Sequence, residues 1–197
     1  MELKLATPEQ VREIYERDLK VSFPPAELKP VKNILEMMEA GCYRPWCLFD
    51  GEEIVGECFL WLGRPGWALL DYLCVSPGRR NGGTGAVLLE KMRRAETETV
   101  ILGESETPCY APDPELARRR LGFYARNGAR TAGYDTEMFG MPYKTLYWAP
   151  EPIPDETLME AHRFIYQSRF SPEKYERYVR IPRDQAAEPL PRVEWNE

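Results

Sequence analysis

Apolar residues recur along this chain at two spacings, every second position and every third or fourth, and the changes between them divide it into elements. Glu2 to Ala6 alternates and predicts a first strand. Thr7-Pro8-Glu9-Gln10 then reads as a helix start, with Thr7 as N-cap, Pro8 in the first turn and Gln10 closing a capping box. Val11, Ile14, Tyr15 and Leu19 form a helical stripe to about residue 20, and Phe23-Pro24-Pro25 breaks it. A second helix is expected with Val31, Ile34, Leu35 and Met38 on one face and Gly41 as its stop. Cys42 to Phe49 and Glu53 to Leu62 are β-prone runs flanking Asp50-Gly51, a strong hairpin signal. Gly63-Arg64-Pro65-Gly66 is a second turn, and Leu69 to Val75 an apolar strand.

The second half alternates helix and strand signals. A helix from about Gly85 to Ala95 precedes a strand, Thr99 to Glu106, so Leu69 to Glu106 predicts a right-handed strand–helix–strand crossover. Asp113 as N-cap and Pro114 in the first turn open a helix that runs to Asn127-Gly128. Thr131 to Phe139 and Tyr143 to Trp148 read as a closing hairpin around Gly140-Met141-Pro142. Pro150 to Pro154 is a semi-rigid linker. Beyond it, Asp155 to Arg169 predicts a helix with Leu158, Ala161, Phe164 and Ile165 facing inward, and Ser171 opens another that ends near Arg180. The last fifteen residues are rich in proline and charge, and order there requires that they be pinned.

The segment between the Leu69–Val75 strand and the next helix holds the most specific chemistry. Ser76 to Gly85 carries four glycines and a proline. Strand, glycine-rich loop and helix make an anion site: the first helical turn leaves N–H groups unpaired, the helix dipole adds partial positive charge, and glycine lets a phosphate approach. No Gly-Lys-Ser/Thr follows, so this is not a P-loop, and Leu88 stands where the third glycine of a dinucleotide fingerprint would fall.

Arg80-Asn81-Gly82-Gly83-Thr84-Gly85 reads R-x-x-G-x-G and follows Leu-Cys-Val-Ser-Pro. It resembles the acetyl-CoA pyrophosphate loop of the GNAT superfamily of N-acetyltransferases. A second segment, Gly122-Phe123-Tyr124-Ala125-Arg126-Asn127-Gly128-Ala129, is similar to the family's F-Y-x-x-x-G element. The resemblance covers roughly residues 1 to 148. It implies an α/β fold, a mixed and mostly antiparallel sheet flanked by helices, over residues 1–149, with a C-terminal helical extension and tail over 150–197. It implies acetyl transfer from acetyl-CoA (CoA) to an amine by direct attack in a ternary complex. The cofactor would be held by Arg80, Asn81, Gly82, Gly83, Thr84 and Gly85, and its pantetheine arm by the backbone of Leu73 and Val75.

Such a reaction needs a base for the amine and an acid for the departing thiolate. Asp71 lies in an apolar strand four residues before Val75, where some family members carry a catalytic glutamate, and Glu104 and Glu106 end the neighbouring strand on one face. Asp71 and Glu106 are the leading base candidates. Tyr124 matches the family's tyrosine near the CoA sulfur, and a phenol stays protonated at pH 7. Two positions depart from the family pattern: Ala117 replaces a cofactor-contacting asparagine and Ala129 a common phenylalanine. Arg118, Arg119 and Arg120 are candidates for the CoA 3′-phosphate, against a solvated helix face. The long connection holding Phe23, Pro24 and Pro25 is placed to shape the acceptor site.

Composition adds bounds. At 197 residues with 43% hydrophobic content the chain is globular, and a formal charge of −6 disfavours nucleic-acid binding. There is no apolar run of membrane-spanning length and no signal-peptide pattern, which predicts a cytoplasmic protein. Five cysteines without a C-x-x-C pair, and His162 as the one histidine, argue against disulfides and against a metal site. No histidine or lysine lies near Cys74 in the sequence to make it a thiolate, so it reads as core, and His162 as structural. A small amine is the expected acceptor, with a protein amine as the alternative. A non-catalytic acyl-CoA-binding module is the rival function. The aromatics Phe164, Tyr166, Phe170, Tyr175 and Tyr178 should pack on something, a second copy of the chain in a homodimer being one candidate.

Overall fold

The local signals resolve into eight strands, mostly antiparallel, and seven helices in a computed structural model that describes residues 1–195. The described chain divides into two compact units, residues 1–62 with 70–98 and 194–195, and residues 63–69 with 99–193.

In the first unit β1 (Glu2–Leu5) leads into α1 (Pro8–Ile14). The expected capping box is present: Gln10 N–H donates to Thr7 Oγ1 at 3.3 Å, and Thr7 N–H to Gln10 Oε1 at 2.9 Å. A π-helical turn, Tyr15–Leu19, and a short α2 (Lys20–Ser22) continue the rod to the break at Phe23. The π turn places Tyr15, Asp18 and Leu19 at buried positions, so a charged side chain enters the interior there. In α3 (Val31–Glu39) the most buried positions are Ile34 and Met37, so the face is rotated from the expected Leu35 and Met38, which are half-buried. β2 (Tyr43–Asp50) and β3 (Glu53–Leu62) form the Asp-Gly hairpin, with Gly51 at φ +64° and a bulge at Leu48/Phe49. β4 (Trp67–Val75) starts two residues before the expected strand. The strand order in this unit is β1-β2-β3-β4. α4 (Thr84–Ala95) buries Leu88, Leu89 and Met92, each worth about 1.5–3 kcal/mol. Its C-terminal end is tied to β2 through Glu96, which accepts from Arg44 at 2.5 Å and Trp46 Nε1 at 2.9 Å.

The second unit has the strand order β5-β7-β6-β8, with β5 at Val100–Glu106, β6 at Arg130–Met138, β7 at Met141–Trp148 and β8 at Val179–Arg180. α5 (Pro114–Arg126) carries its expected cap: Leu116 N–H donates to Asp113 Oδ1 at 3.0 Å. The β6–β7 turn is tighter than expected, Phe139-Gly140, because both residues adopt positive φ (+51° and +78°) as a two-residue hairpin turn requires. Phenylalanine rarely tolerates that backbone. Here its ring stacks on Tyr178 at 4.9 Å and packs edge-on to Phe170, which holds it in place.

The extension consists of α6 (Asp155–Gln167) and α7 (Pro172–Tyr178). Its inward face is Leu158, Ala161, His162, Ile165 and Tyr166; Phe164, expected inside, is 45% exposed. α7 ends before Arg180, and Val179 and Arg180 pair with β6 instead. The segment after β8 is pinned. Arg183 is buried against Glu137 (Nε–Oε2, 3.0 Å), Leu190 N–H donates to Glu137 Oε1 at 2.9 Å, and Val193 N–H to the Phe139 carbonyl at 3.2 Å. Among the described residues no helix is long and apolar enough to cross a membrane.

Candidate functional site

The loop between β4 and α4 has the conformation its sequence demands. Pro77–Arg79 forms a 3₁₀ turn, Asn81 and Gly83 adopt φ +65° and +81°, and Gly83 caps α4. Asparagine is among the few side chains that accept the left-handed region, and glycine is free to. The Gly83 carbonyl accepts from Ala86 and Val87, which leaves the amides of Thr84 and Gly85 in the first turn without a helical acceptor. A Cβ placed on Gly78 or Gly83 would meet no atom within 4 Å, and on Gly82 only the Arg79 carbonyl at 3.9 Å. Internal packing therefore does not call for these glycines. The space over residues 78–83 is open and the residues are exposed, which fits a backbone cradle for a phosphate.

The two loop arginines are both engaged. Arg79 pairs with Glu53 at 2.5 Å and Asp50 at 3.5 Å, so it braces the β2–β3 turn. Arg80 folds back: its Nε donates to the Val75 carbonyl at 3.0 Å and its Nη2 to Ser22 Oγ at 3.0 Å. It also lies 4.0 Å from Cys74 Sγ, which shares a 3.1 Å hydrogen bond with Ser22. Burial pushes the Cys74 thiol up to about 11, so at neutral pH it is a protonated, poorly nucleophilic group.

Behind this loop lies a buried acidic cluster. Glu57, in the apolar run Ile54–Leu60 of β3, is fully buried, and neither carboxylate oxygen has a normal hydrogen-bond partner. Burial and the nearby Asp18 push its carboxyl up to about 8, against weaker pulls from the Cys74 thiol, Arg17 and Arg80. Asp18 is also fully buried; its Oδ2 accepts from Arg17 at 2.6 Å and Ser76 at 3.2 Å, while its Oδ1 has no partner. The sequence carries one signal for Glu57, a lone charge inside a β-prone apolar run.

Asp71 is the one carboxylate on β4. Lys29 Nζ donates to its Oδ1 at 2.5 Å and Tyr43 Oη to its Oδ2 at 2.5 Å. The side chains of Lys29 and Asp71 are 3% and 6% exposed. The Lys29 ammonium lies 3.9 Å from the ring centre of Trp195, 4.7 Å from Trp61 and 5.5 Å from Tyr72. Tyr72 Oη accepts from Lys29 N–H at 2.8 Å and donates to the Glu27 carbonyl at 3.0 Å, which fixes the backbone that delivers the lysine. Nothing in the spacing of residues 29, 43, 61, 72 and 195 announces this arrangement.

Asp71, Leu73, Val75 and the loop residues Arg80 to Gly85 thus belong to one unit, whereas Glu104, Glu106 and Tyr124 belong to the other. Glu106 accepts from Arg120 at 2.6 Å. Tyr124 is half-buried, with its ring edge-on to Trp148 at 5.8 Å and to Phe123 at 5.4 Å. Glu104 is enclosed by His162 Nε2 at 2.8 Å, Tyr166 Oη at 2.8 Å and Thr136 at 3.4 Å, while Tyr134 Oη contacts His162 Nδ1 at 3.2 Å. This network ties α6 to β5 and β6, a structural use of the histidine. Arg118 pairs with Glu115 on the same helix. Among the described residues, no group of three or more His, Cys, Asp or Glu is arranged to hold a metal ion.

No family model and no curated protein matches the sequence. Solved structures do match the fold. A Bacteroides thetaiotaomicron protein assigned to the GNAT acetyltransferase family aligns at TM-score 0.71 with 21% identity, over 85% of this chain and 98% of that one. An aminoglycoside 6′-N-acetyltransferase in complex with coenzyme A aligns at TM-score 0.59 and 16% identity, over 78% and 99%. The Escherichia coli ribosomal-protein-S18-alanine N-acetyltransferase aligns at TM-score 0.56 and 14% identity, over 77% and 97%. The chain has the fold of these GNAT acetyltransferases.

Proposed function

We propose that this chain is an acetyl-CoA-dependent N-acetyltransferase that joins its two substrates in a ternary complex. The observation that carries this reading is the R-x-x-G-x-G loop. It turns through positive φ at Asn81 and Gly83, opens a helix, and keeps clear the space its glycines face. When bound, acetyl-CoA supplies the activated acyl group as a thioester. Toward it, the amides of residues 81 to 85 and the Arg80 guanidinium would hold the pyrophosphate, and the β4 backbone at Leu73 and Val75 would hold the pantetheine arm. Asp71 is the base that takes the proton from the amine: it already holds an ammonium at 2.5 Å, the contact such a step requires. By the resemblance of the sequence, Glu106 is the alternative base and Tyr124 the candidate acid that would protonate the departing sulfur.

Calorimetric titration with acetyl-CoA and with CoA tests this. Arg80→Ala is expected to weaken binding by roughly 1–3 kcal/mol, the scale for losing a charge-assisted contact. Absence of binding to the wild-type protein would refute it. Acetyl transfer to an amine panel, unchanged in Asp71→Asn, Glu106→Gln and Tyr124→Phe alike, would refute the residue assignments while leaving the cofactor site intact.

A further inference from the structure

The Lys29–Asp71 pair is an expensive way to fill the interior. Desolvating two charges costs several kcal/mol each, and an apolar side chain of similar volume is often as stable or more so. The pair is nevertheless fitted with care. One oxygen of Asp71 takes the ammonium and the other the Tyr43 hydroxyl, while Trp61, Tyr72 and Trp195 surround the ammonium at distances where ring faces attract a cation. Lys29 comes from the irregular stretch between α2 and α3. One face of the cage, Trp195, comes from near the chain end, where its N–H donates to the Pro25 carbonyl at 3.3 Å. What the cage holds is chemically a primary alkylammonium on a four-carbon stem.

We propose that this cage, Asp71 and Tyr43 with Trp61, Tyr72 and Trp195, is the ammonium subsite for the acceptor, that the acceptor is a primary alkylamine, and that Lys29 is the chain's own occupant which the acceptor displaces. The substrate class rests on the acetyltransferase reading; the existence of a cation subsite does not. Displacement exchanges one ammonium for another on the same carboxylate, so no buried charge is left unpaired. It also sets a threshold: an amine must compete with a tethered lysine, which selects unbranched primary amines whose chain repeats the lysine stem and excludes bulky or anionic ones.

The test uses n-butylammonium chloride, titrated by calorimetry without any cofactor. Lys29→Met removes the occupant's charge at similar length, and is expected to bind n-butylammonium at least tenfold more tightly than the wild type. Lys29→Met combined with Asp71→Asn should lose that gain, and the double variant also removes the unpaired charge if the single one folds poorly. In the Lys29→Met background Trp195→Leu should weaken n-butylammonium binding at least fivefold. If folded Lys29→Met binds no better than the wild type, or if Asp71→Asn leaves the affinity unchanged, the subsite is refuted. Acetyl-CoA titration of the same variants separates the two ideas: unaltered cofactor binding with no amine binding refutes the cage alone.

Discussion

Glu57 offers the sharpest physical prediction, because among the described residues no other carboxyl has both oxygens buried without a normal hydrogen-bond partner. Its carboxyl is fully buried, lacks a normal hydrogen-bond partner and lies near the Asp18 charge, so the folded protein keeps its proton up to about pH 8. The unfolded chain releases that proton near the ordinary value of 4.5. Between those limits the folded state binds one proton more, so the free energy of unfolding falls as pH rises, by about 1.4 kcal/mol per pH unit. The contribution is complete below about 4.5 and is lost as pH climbs through about 8. The full interval sets a ceiling of about 5 kcal/mol. Glu57→Gln keeps the shape and removes the titration. Thermal melts of both proteins from pH 4.5 to 8.5 are the assay. Groups that titrate alike in both proteins cancel, so the difference between the curves reports Glu57 together with its coupling to Asp18, Arg17 and Arg80. At 2–4 °C per kcal/mol for a chain of this size, the variant should gain on the order of 10 °C relative to the wild type between the two ends of the range. Parallel curves would refute the reasoning, and would mean that Glu57 is charged and solvated or paired in a way the fold does not show.

Other expectations follow from single contacts. Arg183→Met leaves the buried Glu137 carboxylate without its guanidinium and should cost about 3–5 kcal/mol in urea unfolding. Gly140→Ala sets a Cβ 2.6 Å from the carbonyl oxygens of Leu190 and Pro191 at a φ of +78°. It should lose about 1–3 kcal/mol and expose residues 184–193 to limited proteolysis. Thr7→Ala breaks the capping box of α1 and should cost about 1 kcal/mol, read by thermal melting. A maleimide or disulfide reagent at pH 7.5 should label exposed Cys109 within minutes. It should spare Cys74, whose thiol burial pushes up to about 11, and the buried Cys47 and Cys58, whose thiols rise further still.

What the sequence determined by itself is what near neighbours in the chain decide. The Thr7–Gln10 box, the Asp50-Gly51 hairpin, the Asp113-Pro114 start and the Gly83 turn each depend on a few consecutive residues, whose backbone preferences and reach are set locally. The loop from Arg80 to Gly85 was legible for the same reason, being one contiguous strand–loop–helix. Tertiary structure decided what each polar side chain meets. Helical spacing allowed Phe164 or His162 as the inner position of α6; the choice fell to His162 because Glu104 and Tyr134 are there to satisfy both ring nitrogens. Val179 and Arg180 left their helix because β6 offered an edge to pair with. Asp71 stood out in the sequence, yet its ammonium partner comes from Lys29, its hydroxyl from Tyr43 and its aromatic surround from Trp61, Tyr72 and Trp195. A carboxylate's chemistry is fixed by charges and dielectric within a few ångströms, and which residues stand that close depends on chain segments far apart in sequence.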